Sequence, residues 1–383
     1  MARKSKDGGA PGAHDAPEAF GRARRPYLRI QQEIRDHILR RELLPGDAMA
    51  DEDALSKELG AHRFIVRKAL SNLVREKVLY RFRGQGDVVS GKLQLEAFDG
   101  NFIALLHSYT DRNFCMQGFN LSVLRGVREA TGRDVLAFGA DGGQSAGEGP
   151  DLDAIPWERV EGVMLFSIFR EGFFERVGEL GLPTVAVDYD DPECPYDCVS
   201  MDNFDAGYRS VKHLIELGHR RIAHIGEPRD MEVPDPSWQD RRRGYEAALK
   251  EAGIGLEDRY FVGLPTRWAT ESNPLVNGLL DLEERPTAVH CTGDGLAFLV
   301  MRLAAKRDLR VPEDLSVVGF GGSVLAEFGA HPLTTVHSDS FAMGLAAGKR
   351  LAEKIDPGDE EKKRILMPVT LMVRESSAAP PAE

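Results

Sequence analysis

The sequence predicts an α/β chain in which two doubly wound parallel-sheet subdomains follow a small module of three helices and a hairpin. Three observations predict it: short apolar strands alternate with helical segments from Phe102 to Gly319, three helix patterns and a glycine-tipped hairpin fill Tyr27 to Ser90, and charge divides between the two regions. The 383 residues, 42% hydrophobic and 29% charged, suit two or three domains at roughly 100–200 residues each. That composition excludes a disordered, collagenous or disulfide-stapled chain. No stretch approaches the ~18 consecutive apolar residues of a membrane span, and the first twenty residues lack the apolar core of a secretory signal, so a soluble, cytoplasmic protein is expected. Cys115, Cys194, Cys198 and Cys291 are too few and too scattered for a disulfide framework.

The net charge of -12 argues against a nucleic-acid partner until it is divided along the chain. Residues 1–90 carry 18 Lys and Arg against 13 Asp and Glu, a net of +5; the remainder carries 31 against 48, a net of -17.

Residues 1–25 mix Gly, Ala, Pro, Lys and Arg without apolar periodicity and read as a disordered basic arm with Arg22, Arg24 and Arg25. Order begins at Tyr27. Ile30, Ile34 and Ile38 repeat at helical spacing, and Leu44-Pro45-Gly46-Asp47 ends that helix with turn residues. A second helix spans about Asp51 to Leu59 and is stopped by Gly60. A third spans about His62 to Lys77, burying Ile65, Val66, Ala69, Leu70 and Leu73 and leaving His62, Arg63, Arg67 and Lys68 outward. Residues 78–83 and 87–89 then flank Gly84-Gln85-Gly86, the pattern of a β-hairpin. Three helices and a hairpin make a winged helix-turn-helix over 26–90, followed by a linker over 91–100.

This segment resembles the N-terminal domain of GntR-type bacterial regulators. The resemblance rests on Leu44-Pro45-Gly46-Asp47, Glu52, Gly60, Arg63 through Leu70, and Arg83-Gly84-Gln85-Gly86. It departs from the family where Met49-Ala50-Asp51-Glu52-Asp53 replaces a leucine-proline-serine-glutamate-arginine opening, and where His62 replaces a serine or threonine. The resemblance implies binding to double-stranded DNA through His62, Arg63, Arg67 and Lys68, with Lys57 on phosphate and Arg83, Gly84 and Gln85 in the wing. Arg63 and Arg67 lie one helical turn apart, and a guanidinium bonds guanine O6 and N7 bidentately in a major groove. Lysines suit phosphates, which set register and affinity rather than sequence. Arg81, Arg83 and the Gly84-Gln85-Gly86 tip are placed to let the wing approach the DNA backbone or the minor groove.

From Phe102 onward the apolar segments 102–106, 135–138, 162–166, 184–187, 222–225, 288–291 and 316–319 alternate with helical patterns at 120–131, 173–180, 206–217, 243–252 and 296–306. Near-continuous apolar strands between helices imply parallel sheets covered on both faces. Two subdomains with a cleft at the strand C-terminal ends house about 280 residues economically.

This second region resembles the effector-binding domain of LacI-type regulators, a periplasmic-binding-protein type I-like fold. The carrying blocks are His213 through Ala223, Arg241 through Leu249, Val311 through Phe320, Pro332 through Val336 and Val373 through Ser376. The family's three crossings between subdomains imply one subdomain over about 101–203 and 339–358, the other over 204–335 and 364–377, with a tail at 378–383. Carried over by position, the ligand-binding residues are Ser108, Phe119, Asp188, Arg241, Asp294 and Phe320, with Trp268 as a late aromatic. An aromatic face flanked by Asp and Arg suits a sugar, whose C–H faces stack while its hydroxyls pair. In place of a common pair of aspartates, Gly321-Gly322 follows Phe320.

Together the resemblances imply a DNA-binding transcription regulator, a repressor whose operator affinity changes when a sugar or derivative binds the cleft. A homodimer on a palindromic operator is expected; corepressor use or activation is the alternative sign. No cofactor, metal or catalytic residue is expected. Cys194 and Cys198 lack a second pair at zinc spacing, His219 reads as structural, and Gly139 through Gly143 lacks the order of a dinucleotide loop. The enzymatic rival is an NAD-dependent dehydrogenase with an attached DNA-binding domain.

Overall fold

The computed structural model describes residues 26–41, 43, 48–76, 78–82, 86–89, 100–107, 118–139, 150–167, 172–231, 235–264, 272–328, 331–355 and 361–381. The basic arm at 1–25, most of the 91–100 linker, the wing tip at 83–85, Ser108 and Trp268 lie outside the described residues. The chain divides into two compact units, Met1–Gln94 and Leu95–Glu383.

In the first unit α1 (Pro26–Arg40), α2 (Glu52–Glu58) and α3 (Arg63–Arg75) surround one small core. Ile30, Ile34 and Ile38 of α1 are buried with Leu55, Val66, Leu70 and Leu73, because each apolar set recurs at helical spacing on one face. Asp51 starts α2 by accepting the Ala54 N–H at 2.8 Å. Strands β1 (Leu79–Phe82) and β2 (Gly86–Val89) pair antiparallel, and Arg81 lies opposite Asp87.

The second unit contains two six-stranded sheets. The first sheet is parallel throughout. Its strands are β3 (Phe102–His107), β4 (Asp134–Phe138), β5 (Val160–Phe166), β6 (Thr184–Val187), β7 (Asp197–Met201) and β13 (Arg364–Met367), in the order β13-β7-β6-β5-β3-β4. The second contains β8 (Ile222–Gly226), β9 (Phe261–Gly263), β10 (Ala288–Cys291), β11 (Ser316–Phe320), β12 (Thr334–Ser338) and β14 (Val369–Met372), ordered β14-β12-β11-β10-β8-β9. Only its β14 runs antiparallel, against β12.

Helices α4 (Gly118–Thr131), α5 (Phe173–Gly178) and α11 (Ser340–Ile355) accompany the first sheet. With the second go α6 (Asn203–Glu216), α7 (Pro236–Glu251), α8 (Pro274–Leu280), α9 (Asp294–Ala305) and α10 (Val324–Phe328).

The chain passes between sheets after Met201, after Ser338 and after Met367. The last passage corrects an expectation, because residues 364–367 belong to the first subdomain and not the second. Arg364 to Met367 pair in parallel with Cys198 to Met201, and Ile365 and Met367 pack on the first subdomain's core.

Candidate DNA-reading face and effector cleft

The exposed side of α3 carries Arg63, Phe64, Arg67 and Lys68, with Lys57 exposed on α2. His62 is the N-cap of α3, and its Nδ1 accepts the Phe64 N–H at 3.2 Å. The neutral ring therefore carries its proton on Nε2. Glu52 gathers both arginines: Arg67 donates from Nε at 3.0 Å and Nη2 at 2.8 Å, and Arg63 from Nε at 3.2 Å. Asp53 adds a contact to Arg63 Nη1 at 3.1 Å. The Arg67 guanidinium accordingly holds the Glu52 carboxyl below the usual carboxylate range. Asp53, the position that departs from the family pattern, thus faces Arg63 instead of supplying a cation. Arg81 is a cross-strand clasp, paired with Asp87 at 2.6 and 2.8 Å.

In the sensor unit the candidate cleft forms at the C-terminal ends of β6, β7, β8 and β10, where a doubly wound sheet exposes ligand sites. Ser167 and Asp188 end adjacent parallel strands with φ of 48° and 54°, the left-handed region that Asp tolerates better than most residues. Ser167 Oγ donates to Asp188 Oδ2 at 3.0 Å. Asp188 Oδ1 is sealed from solvent and has no hydrogen-bond partner among the described residues. Burial, then the negative charge of Asp235, push the Asp188 carboxyl up to about 7, against the lowering influence of Arg241.

Arg241 is buried on α7 and held on every side. Its Nε donates to Asn203 Oδ1 at 2.9 Å, Nη1 to the Thr292 carbonyl at 2.7 Å and Nη2 to Ser237 Oγ at 3.2 Å. Its guanidinium carbon lies 3.7 Å from the Phe320 ring centroid, a cation–π contact in a dry setting. Two further carboxyls are linked to this group. Asp235 caps α7 by accepting the Ser237 N–H at 2.9 Å, and burial raises its carboxyl. Glu227 accepts the Asp235 N–H at 3.0 Å, and burial pushes it up to about 7.

The structure brings Asp188, Arg241 and Phe320 into one electrostatic neighbourhood. Asp294 is engaged differently: its oxygens accept from Thr335 Oγ1 at 2.6 Å and the Ser323 N–H at 2.7 Å, tying α9 to the ends of β11 and β12. Phe119 is half-buried against the first subdomain's core, its ring 6.1 Å from Phe166. Sequence reasoning missed Ser167, Asn203, Glu227, Asp235 and Ser237. The Asp235-Pro236-Ser237 run was the available signal, since Asp before Pro at a first helical turn marks a helix start.

His219 is buried and fixed by Thr287 at 2.8 Å, Ser316 at 3.1 Å and the Ala378 carbonyl at 2.8 Å, a structural anchor for the C-terminal segment. Cys194, Cys198 and Cys291 are free and buried. Among the described residues no cluster of His, Cys, Asp and Glu fits a metal ion, and no helix is long and apolar enough to cross a membrane.

Known proteins share both units. Residues 26–89 match the gntR family of bacterial regulatory proteins, and residues 211–377 match the periplasmic binding protein-like domain. The arabinose metabolism transcriptional repressor of Geobacillus stearothermophilus is 28% identical over 364 residues, covering 92% of this chain and 97% of that protein. The HTH-type transcriptional regulator CelR of Thermobifida fusca is 30% identical over 278 residues, 72% of this chain and 80% of that one. The crystal structure of a LacI family transcriptional regulator from Mycobacterium smegmatis superposes with a TM-score of 0.60 at 27% identity, covering 73% of this chain and all of that one, 100%.

Proposed function

The chain belongs to the LacI/GntR-type transcriptional repressors, and from that premise we propose that a sugar or sugar derivative bound in the cleft controls its affinity for operator DNA. The observation that carries the effector reading is Asp188 Oδ1, a buried oxygen without a partner among the described residues, at a strand end beside the fixed Arg241–Phe320 stack. A hydroxyl donor satisfies that oxygen, and a C–H face suits the neighbouring apolar surface. The name of the Geobacillus relative, which refers to arabinose metabolism, puts pentoses first in the trial. Arg63 and Arg67 read base edges, with Lys68 and Lys57 on phosphate and residues 83–85 in the wing. The working unit is a homodimer, and effector binding releases the operator. A hundredfold change in operator affinity requires about 2.7 kcal/mol of coupling.

The test has two arms. Thermal shift across pentoses, hexoses, disaccharides and purines identifies the ligand, since binding to the native state raises its stability by mass action. Gel shift with genomic fragments at two salt concentrations, with and without that ligand, then measures coupling. Asp188→Asn should weaken the effector at least tenfold, about 1.4 kcal/mol, and leave operator binding unchanged; Arg67→Ala should do the reverse. Asn is the right replacement because it tolerates the positive φ of this position. Arg241→Ala is a poor probe, since it strips partners from Asn203, Thr292 and Phe320 together. An effector dose response that Asp188→Asn leaves untouched moves the ligand elsewhere.

A further inference from the structure

The reading face of α3 contains a residue that neither charge nor core packing accounts for. Phe64, the second residue of that helix, is 70% exposed, whereas its neighbour Val66 is fully buried in the unit's core. It stands at the N-terminal turn, beside Arg63 and at i−3 and i−4 to Arg67 and Lys68, all exposed. The backbone there is fixed, because the Phe64 N–H is taken by His62 and the flanking arginines are tied to Glu52. An aromatic ring is thus held outward, ringed by cations, at the end of a helix from which base edges are contacted in helix-turn-helix proteins.

Only one base edge in the major groove offers an apolar landmark, the C5-methyl of thymine, and Phe is among the side chains that meet it. We propose that Phe64 is a specificity-determining residue that packs on a thymine methyl next to the base read by Arg63 or Arg67. This inference rests on the DNA-reading assignment of α3. It adds that each operator half-site contains a thymine recognised through its methyl rather than through hydrogen bonds.

The experiment uses the full chain and an operator selected from random duplexes. Each thymine of a half-site is replaced singly by uracil, which removes the methyl and leaves every hydrogen-bonding group in place, and affinity is read by fluorescence anisotropy. One uracil position should weaken wild type several-fold. Phe64→Ala should weaken the unmodified operator by a similar factor and lose sensitivity to uracil at that position alone, while Phe64→Leu, which keeps an apolar tip, should retain part of it. Because the side chain is exposed, the thermal midpoint should not fall. Equal uracil sensitivity in wild type and Phe64→Ala at every position overturns the methyl contact while leaving the DNA-reading assignment intact. If wild type selects no sequence at all, that assignment fails and the proposal with it.

Discussion

Asp188 concentrates the residue-scale chemistry of the sensor unit. Its carboxyl is moved from the ordinary 3.8 up to about 7, first by burial and then by the charge of Asp235. A raised acid pKa means that between about 4 and 7 the folded chain holds a proton that the unfolded chain has released, so stability falls as pH rises through that window. Below the unfolded value the contribution is fully present; above the folded value it is lost. Glu227, also pushed up to about 7 by burial, acts with the same sign. Between about pH 4 and pH 8 the thermal midpoint of wild type should therefore fall relative to that of Asp188→Asn, each pKa unit being worth about 1.4 kcal/mol, because the buried histidines His224 and His290, whose pKa values burial lowers, act with the opposite sign in both proteins alike. Asp188→Asn/Glu227→Gln should differ from wild type more steeply over that window than Asp188→Asn alone. A slope identical in all three proteins would mean that these carboxyls are hydrated in solution.

At the scale of elements, Arg241 is positioned by a helix crossing. Helices α6 and α7 approach so closely that a methyl at Gly207 would overlap the Arg241 carbonyl, and one at Gly244 would overlap the Phe204 carbonyl. Gly244→Ala should therefore push α7 outward, destabilise the sensor by about 1–3 kcal/mol as an overpacked core does, and weaken effector binding by displacing Arg241 from Asn203. Calorimetry of ligand binding beside thermal unfolding checks both effects. The same helix shows where sequence reading runs out. Apolar periodicity places its start at Arg243, whereas α7 begins at Pro236. Its first two turns bury Ser237, Asp240 and Arg241 instead of apolar residues, so hydropathy is silent there. Strand β7 was invisible for a similar reason, since Asp197 and Ser200 are buried within it. Asp197 is paired with the equally buried Arg350 at 2.9 Å. Ile30, Ile34, Ile38 and the strands 102–106, 162–166 and 184–187 were legible because burial and hydropathy agree in them. In the candidate site, family position singles out Asp188, Arg241 and Asp294, but sequence does not reveal that Thr335 and Ser323 donate to the Asp294 oxygens.

The whole molecule couples a +5 segment to a -17 segment, and operator binding must draw its ionic part from the former. Each neutralised phosphate contributes about 0.9 to the slope of log affinity against log salt. Lys68→Ala should lower that slope by about 0.9 on an isolated half-site and by about 1.8 on a palindrome that holds two copies, without changing the selected sequence, whereas Arg67→Ala should change the sequence as well. A dimer would give so small a reading head higher affinity, because the second half-site is engaged at the effective concentration set by the first. A surface to test for it is α10, where Val324, Leu325 and Phe328 are 75%, 68% and 76% exposed, since exposed apolar side chains grouped together mark contact sites. Phe328→Asp places a charge in that cluster. If two copies meet there, light scattering should report half the wild-type mass at micromolar concentration. Affinity for a palindromic operator should fall at least tenfold, while affinity for an isolated half-site stays the same. An unchanged mass would move the dimer surface off α10, and an unchanged operator affinity in a monomeric variant would remove dimerisation from the mechanism.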